Sequence, residues 1–538
     1  MVNAVNQRHF HIRYCLSRNK LLTLQLFIPD LRNMQRNMFT RIIATVLALI
    51  WGAAAYGLTI HTEAGGLQAA IGKNTDATEL SVTGTLNLAD FEFMALEMKN
   101  LRKLDMSGAT VAAYKGEPTF TGRTSSRADM LPDYALLGLP LTEITLPKGI
   151  NAIGDGALAG LAITTVTIPP TVTSIGNRAF SGCRSLENIS LPASVSSIGE
   201  GTFKECVSLR GITIAGSPDA IAPYTFQGCA ALAGIQLPKS VKSVGKSAFN
   251  GCVSLAAINF PAGITRIEEL AFNGTALTAA NMAGCTAMTS VGDWAFAGCT
   301  ALTTVTFPRS LTHIGTGAFF RNSSLTDAAI PSKVKRIPDF AFTGAAGDGD
   351  MIRESAVEII GKYALADWRA VKVFSLPAPL SEIEEGGMAG WTAPDSIKAG
   401  RLAVVPGLGP DVWGDLDKHA VVLSVRSSLK DEFENTPQWE DFNIAVEKSD
   451  TVNSIHTVIP DTPSIKAYFD GMTLMLRADA PIAAAQLYDI DGRSYILPRS
   501  ESDGGASMDI DTSAMDAKVM IVRVLLADGS AVSLKLYR

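Results

Sequence analysis

The chain has 538 residues, 47% of them hydrophobic and 18% charged, with a formal charge of −6. That composition excludes a disordered chain, and the length exceeds what one compact core holds unless the chain is a repeat array. Residues 1–57 carry seven basic residues and one acid, which leaves 39 basic against 51 acidic beyond them; a balance of −12 argues against nucleic acid or an anionic membrane as partner.

The first element is the apolar run IIATVLALIWGAAA, Ile42 to Ala55, which follows Arg36 and Arg41 and ends in small residues. It is too short to span a bilayer. Its layout is that of a secretory signal peptide over 34–57, cleaved near Ala55 or Gly57. Met34 or Met38 is then the natural start, and 1–33 an over-called reading frame. No later run is long and apolar enough for a transmembrane anchor, so an extracellular or outer-membrane-surface protein is expected.

Residues 58–133 come next. ATELSVTG (77–84) alternates as a strand, LADFEFMALEM (88–98) is apolar at helical spacing, and LRKLDMS (101–107) has strand spacing again. Polar residues 115–127 read as a loop. The segment is expected to cap the N-terminal end of a solenoid, whose first coil would otherwise expose its core.

From 134 to 395 a Phe, Leu or Met recurs every 22 to 24 residues, at Leu136, Leu158, Phe180, Phe203, Phe226, Phe249, Phe272, Phe296, Phe319, Phe342, Leu365 and Met388. A fixed period in this range signals a solenoid. Within one unit, Ile189 and Leu191 flank Ser190 as a short strand, Pro192 ends it, and Val195 and Ile198 fit a turn or 3₁₀ segment. Gly199 is expected to take positive φ at the next bend. The fold class is therefore a solenoid of short strand plus turn per repeat. Two stretches break the pattern: 277–292, with an insertion before Val291, and 343–355, where Arg353 falls on an inward position.

The Ile-Gly pairs at 153–154, 175–176, 198–199 and 314–315 recur with Ala-Phe pairs at 179–180, 248–249, 271–272, 295–296 and 341–342, and Gly-Cys pairs at 182–183, 228–229, 251–252 and 298–299. This pattern resembles the BspA-like (Treponema pallidum type) leucine-rich repeats of Bacteroidetes surface proteins. The resemblance implies a leucine-rich-repeat solenoid and adhesion to host proteins or to other bacteria. The stretch Thr83 to Phe91 resembles the N-terminal caps of such proteins, and 396–446, with Trp439 and Phe442 after a short helix, resembles their terminal coil.

Residues 447–463 read as a linker. Residues 464–538 alternate as strands at 473–478, 483–490, 518–526 and 532–538, separated by turn signals at Asp491-Gly492 and Asp528-Gly529. They are expected to form a small β-sandwich-like domain. Tyr488 to Arg493 and Lys535 resemble the sorting domain of type IX secretion, although the Gly before its last-but-one strand is missing; an immunoglobulin-like module is the other reading.

Sites for chemistry are sparse. The six histidines are scattered, and no HExxH, GxSxG, phosphate-loop or dinucleotide pattern occurs. Asp489 and Asp491 lack the later carboxylates of a calcium loop. No enzyme, cofactor or metal is expected. Five of the seven cysteines, Cys183, Cys206, Cys229, Cys252 and Cys299, lie three residues after an anchor and are read as buried, inert thiols.

The solvent face of the strands presents Thr145, Thr167, Ser190, Thr213, Gln236, Asn259, Asn281, Thr306 and Ser375, with Ala329 between the last two. This uncharged polar row is the candidate binding face, for a protein or a glycan. The sequence points to an exported protein-binding surface protein, with a glycan-binding accessory of a polysaccharide system as the alternative. Trp294, Trp368 and Trp391 are open to two readings, as core residues or as glycan platforms.

Overall fold

The computed structural model describes residues 57–447, apart from 118, 120, 121, 348, 350 and 393, together with strands His11–Cys15, Leu21–Gln25 and those between Ile465 and Tyr537. The signal-peptide reading, nearly all of the 447–463 linker and both Asp-Gly turns lie outside the described residues. The chain divides into two compact units, 1–325 and 326–538.

The first unit opens with a parallel sheet of Gly57–Thr62, Glu79–Leu86, Lys103–Val111 and Glu143–Thr145. Helix Leu88–Glu97 starts at a capping box of Asn87 and Asp90. Asp90 is buried, and its carboxylate accepts from the backbone N–H of Gly65 (2.7 Å), Leu67 (2.9 Å) and Asn87 (2.9 Å). One acid thus ties the helix start to a second short helix, Leu67–Ile71.

The following coils contribute rungs to two parallel ladders, although the coil around Thr167 has no strand on the first. On the first, Asn188–Leu191 pairs with Gly211–Ile214, Gly234–Ile235 with Ala257–Ile258, and Ala279–Asn281 with Thr304–Thr306. The return segment is a second ladder of two-residue strands, not a 3₁₀ helix. It runs through Ala152–Ile153, Ser174–Ile175 and Ser197–Ile198, then through Ala220–Ile221, Ser243–Val244, Arg266–Ile267, Ser290–Val291 and His313–Ile314. Val195 closes the turn between the ladders, its N–H donating to the Pro192 carbonyl at 3.1 Å.

The anchors point inward and meet. Phe180, Phe203, Phe226, Phe249, Phe272, Phe296 and Phe319 are fully buried and form one column, with successive ring centroids 5.4, 5.6, 5.2, 5.2, 5.1 and 5.3 Å apart and rings within 16° of parallel. The backbone locks the same register: Phe180 N–H donates to the Thr202 carbonyl and Phe203 N–H to that of Thr225, both at 2.9 Å.

The Ile-Gly glycine does not take positive φ; the left-handed positions are Arg178 and Gly182 in one coil, and Gly201 and Glu205 in the next. Gly199 is glycine for a different reason. A Cβ there would sit 2.5 Å from the Asn177 nitrogen and 2.6 Å from the Gly176 carbonyl carbon, so only a bare Cα lets the coils stack.

In the second unit the ladders are Arg336–Ile337, Ile359–Ile360, Glu382–Ile383 and Gly407–Leu408, and Val373–Ser375, Ser396–Lys398, Val422–Val425 and Asn443–Val446. Leu365 and Met388 fill the anchor position and are fully buried. In the irregular stretch 343–355 the large buried residues are Met351 and Ile352, and Arg353 is exposed, contrary to its expected inward position. A guanidinium is costly to bury, and here it stays outside, 3.5 Å from Glu354. Helix Lys430–Glu434 leads to a cluster of Trp413, Phe433, Trp439 and Phe442, packed mostly edge to face.

Near the C-terminus, Ile465–Asp470, Thr473–Ala478 and Ser507–Asp511 form one antiparallel sheet, and Ser494–Tyr495, Ile482–Asp489, Val519–Leu526 and Ala531–Tyr537 a second. Strands from both, through Leu474, Leu476, Leu487, Val522 and Val524 among others, share one buried cluster.

Candidate binding surfaces

The first ladder alternates along each strand, so Ile189 and Leu191 are buried while Asn188 and Ser190 face solvent. Thr145, Thr167, Ser190, Thr213, Gln236, Asn281 and Thr306 are exposed. Asn259 is half-buried and turned onto its neighbour: its Oδ1 accepts from Leu237 N–H at 2.6 Å and its Nδ2 donates to the Leu237 carbonyl at 3.0 Å. Ser375 does not belong to an exposed row. It is only 5% exposed, because the irregular stretch folds over its strand. The Ser375 N–H faces the Gly349 carbonyl at 3.5 Å, and Gly349 packs so closely on Val373 that a Cβ there would strike the Val373 carbonyl oxygen.

Beside Thr167, Ser190, Thr213 and Gln236 runs a groove of about 920 Å³. Its other bank was not apparent from the anchor row. Two residues before each row position the sequence reads Thr165, Asn188, Gly211, Gly234 and Ala257, so the side chains shrink to nothing across two coils and leave a trench. Listing that second outward register would have revealed it. Towards the N-terminus the same ladder becomes charged: Lys103 lies 3.2 Å from Glu143 and 3.6 Å from Glu79, and a hydrogen bond and the charge of Glu143, then the charge of Glu79, raise its pKa.

The thiols are set for packing. Cys183, Cys206, Cys229, Cys252 and Cys299 are free and fully buried. Each Sγ donates to an anchor carbonyl one coil back, from Leu158, Phe180, Phe203 and Phe226 (all 3.1 Å) to Phe272 (3.2 Å). Burial pushes Cys183 and Cys252 up to about 12, and Cys206 and Cys229 well above the ordinary value, so the nucleophilic thiolate is suppressed. Among the described residues no three His, Cys, Asp or Glu side chains gather as a metal site.

Trp368 and Trp391 are core residues, 0% and 4% exposed, with rings stacked 6.2 Å apart. They stand three positions after Leu365 and Met388, where other coils have cysteine. Trp294 is half-buried, its ring edge to face with Phe320 at 5.3 Å.

Residues 129–219, 219–347 and 275–391 match the BspA type leucine rich repeat region, in six copies. No curated protein matches the chain. Among solved structures, a leucine-rich repeat protein from Bacteroides ovatus ATCC 8483 is 20% identical, covers 68% of this chain and 88% of its own, and superimposes with a TM-score of 0.53. A leucine rich cell surface protein from Faecalibacterium prausnitzii A2-165 is 23% identical over 50% of this chain and 87% of its own, TM-score 0.30. The leucine rich repeat protein of T. pallidum is 27% identical over 37% and 72%, TM-score 0.19.

Proposed function

Since the repeat region of this chain belongs to the BspA-type leucine-rich-repeat family, we propose that the protein is an exported surface protein that binds other proteins, of a host or of neighbouring bacteria, along its first ladder. On this reading 34–57 directs export, 58–133 and 396–446 close the solenoid ends, and 464–538 serves attachment or sorting. The observation that carries the proposal is the groove of about 920 Å³ along Thr167, Ser190, Thr213 and Gln236. It is open, uncharged and rich in hydroxyl and amide groups, the surface on which an extended polypeptide finds donors and acceptors without a desolvated charge.

The test is an array of matrix and bacterial surface proteins, with polysaccharides alongside, probed with the protein and with Thr213→Lys/Gln236→Lys. Capture of a protein, lost in the double variant, is expected. Capture of polysaccharide alone, or binding indifferent to the two lysines, would overturn the reading. For export, N-terminal sequencing of protein recovered from the cell surface is expected to begin near residue 56; an intact residue 34 would refute it.

A further inference from the structure

A second cleft, of about 600 Å³, lies on the other ladder, where the hairpin of Tyr114–Lys115 and Ser125–Ser126 overhangs the rungs Ala152–Ile153 and Ser174–Ile175. Its volume is that of a small-ligand site. The lining is polar and balanced in sign. Arg123 and Arg127 come from the hairpin side, and Asp133, Asp155 and Asn177 from three successive coils.

These groups hold one another in place. The Asp155 N–H donates to Asp133 Oδ1 at 2.9 Å, and Asn177 donates through its N–H to Asp155 Oδ1 at 2.7 Å and through Nδ2 to Asp155 Oδ2 at 3.2 Å. Arg123 donates to the Asp133 carbonyl and sits over the Tyr134 ring, 5.1 Å from its centroid. Arg127 is exposed and, among the described residues, reaches the Met130 sulfur at 3.6 Å, a weak acceptor. Ser126 Oγ, also on the cleft wall, is buried and has no hydrogen-bond partner among the described residues. A buried hydroxyl left unpaired is costly, and this one belongs to a residue in the wall of a cavity lined by both guanidinium and carboxylate groups.

We infer that this cleft is a saccharide site, for a neutral sugar presented at a chain end or branch. Two guanidinium groups repel a cation and two carboxylates repel an anion. A vicinal diol donates to the carboxylates and accepts from Arg127, and a third hydroxyl pairs with Ser126 Oγ. The site lies on a different ladder from the groove and stands independently of the protein-binding reading.

The experiment is calorimetric titration of the full-length protein with neutral gluco-, manno-, galacto- and xylo-oligosaccharides, and with sialyllactose as the acidic counterpart. At least one neutral sugar is expected to bind. Arg127→Ala should weaken it by about tenfold or more, and Ser126→Ala by about threefold to tenfold, while Thr213→Lys in the groove leaves it unchanged. Binding of no neutral sugar, preference for sialyllactose, or binding that neither Arg127→Ala nor Ser126→Ala weakens would overturn the inference. Because Thr213→Lys strikes only the groove, failure here leaves the protein-array result standing, and the reverse.

Discussion

In residues 1–325 five inward phenylalanines are followed three positions later by cysteine, as at Phe203 and Cys206 or Phe226 and Cys229, and two by Thr275 and Asn322. In residues 326–538 Phe342 is followed by Ala345, but the next two coils put tryptophan at the third position: Leu365 is followed by Trp368 and Met388 by Trp391. The hydrogen bond survives the exchange. Cys206 Sγ donates to the Phe180 carbonyl at 3.1 Å, and Trp391 Nε1 donates to the Leu365 carbonyl at 2.7 Å, the anchor one coil back in both cases. Trp368 does the same to Phe342, at 2.7 Å. In these coils the third position after the anchor supplies one donor to the anchor carbonyl one coil back, whether cysteine or the larger tryptophan stands there.

The strongest way to break this equivalence is to empty the large position. Trp391→Ala and Phe226→Ala should each cost about 3–5 kcal/mol, measured by denaturant unfolding, and the tryptophan the more because the Leu365 carbonyl also loses its donor. Leu365→Phe combined with Trp368→Cys should recover only a minor part of what Trp368→Cys alone loses, because a phenyl in place of an isobutyl group fills little of the space an indole leaves. If the double variant is no better than the single, the two positions do not share one volume.

Much of this was legible in the sequence. Twelve anchors at one period placed the Phe column and the thiols, because every copy repeats the same demand. The tryptophans were legible too, since they keep the cysteine spacing, but their size drew attention to the surface. Other features were hidden for physical reasons. Ser197–Ile198 is too short to show alternation, so a second ladder looked like a turn. Gly199 answers to the backbone of the preceding coil, at Gly176 and Asn177, a contact that no local pattern contains. Ser375 keeps the period of the outward row and is buried by a segment some 26 residues earlier in the chain, around Gly349. The saccharide cleft combines a hairpin with a ladder, and only the fold brings Ser126 near Asp155.

Alkaline pH separates the two regions next. The described thiols all precede Thr326, and burial raises Cys183 and Cys252 from an ordinary 9.0 to about 12. The unfolded thiols ionise first. Their contribution is complete below pH 9 and is lost as pH rises from there towards 12. At one pH unit above the unfolded value, each such thiol should subtract about 1.4 kcal/mol. Hydrogen exchange followed by mass spectrometry should show peptides from 172–325 losing protection between pH 8 and 10, beyond the intrinsic rise in rate, and those from 326–446 keeping theirs. Cys252→Ser should reduce the loss.

The donor itself is worth less than the volume. Cys206→Ala should cost about 1 kcal/mol beyond its small cavity, by leaving the Phe180 carbonyl short of a partner, and Cys206→Ser should cost less because the hydroxyl still donates. Equal unfolding midpoints for the two variants would mean that packing alone sets the position.

The smallest effect lies on the surface of the second unit, and its sign is opposite. Arg336 bridges two coils, with its Nη1 at 2.6 Å and Nη2 at 2.7 Å from the two Glu384 oxygens, and Nη2 at 3.0 Å from Asp339. Hydrogen bonding to Arg336 holds the Glu384 carboxyl below its ordinary value, and Arg401, at 2.6 Å, does the same for Glu354. A carboxyl held down stabilises above its unfolded pKa and loses that contribution as pH falls through the folded one. Arg336 and Glu384 are partly exposed, 39% and 23%, and solvent screening keeps such a pair to roughly 1 kcal/mol or less. Glu384→Gln should therefore lower stability slightly at pH 7, and that loss should fade as pH falls through the depressed folded pKa and the carboxylate it replaces becomes protonated. A loss that does not change as the pH is lowered would make Glu384 a packing residue, and the second unit would then have lost one of the charge bridges that shape its pH response.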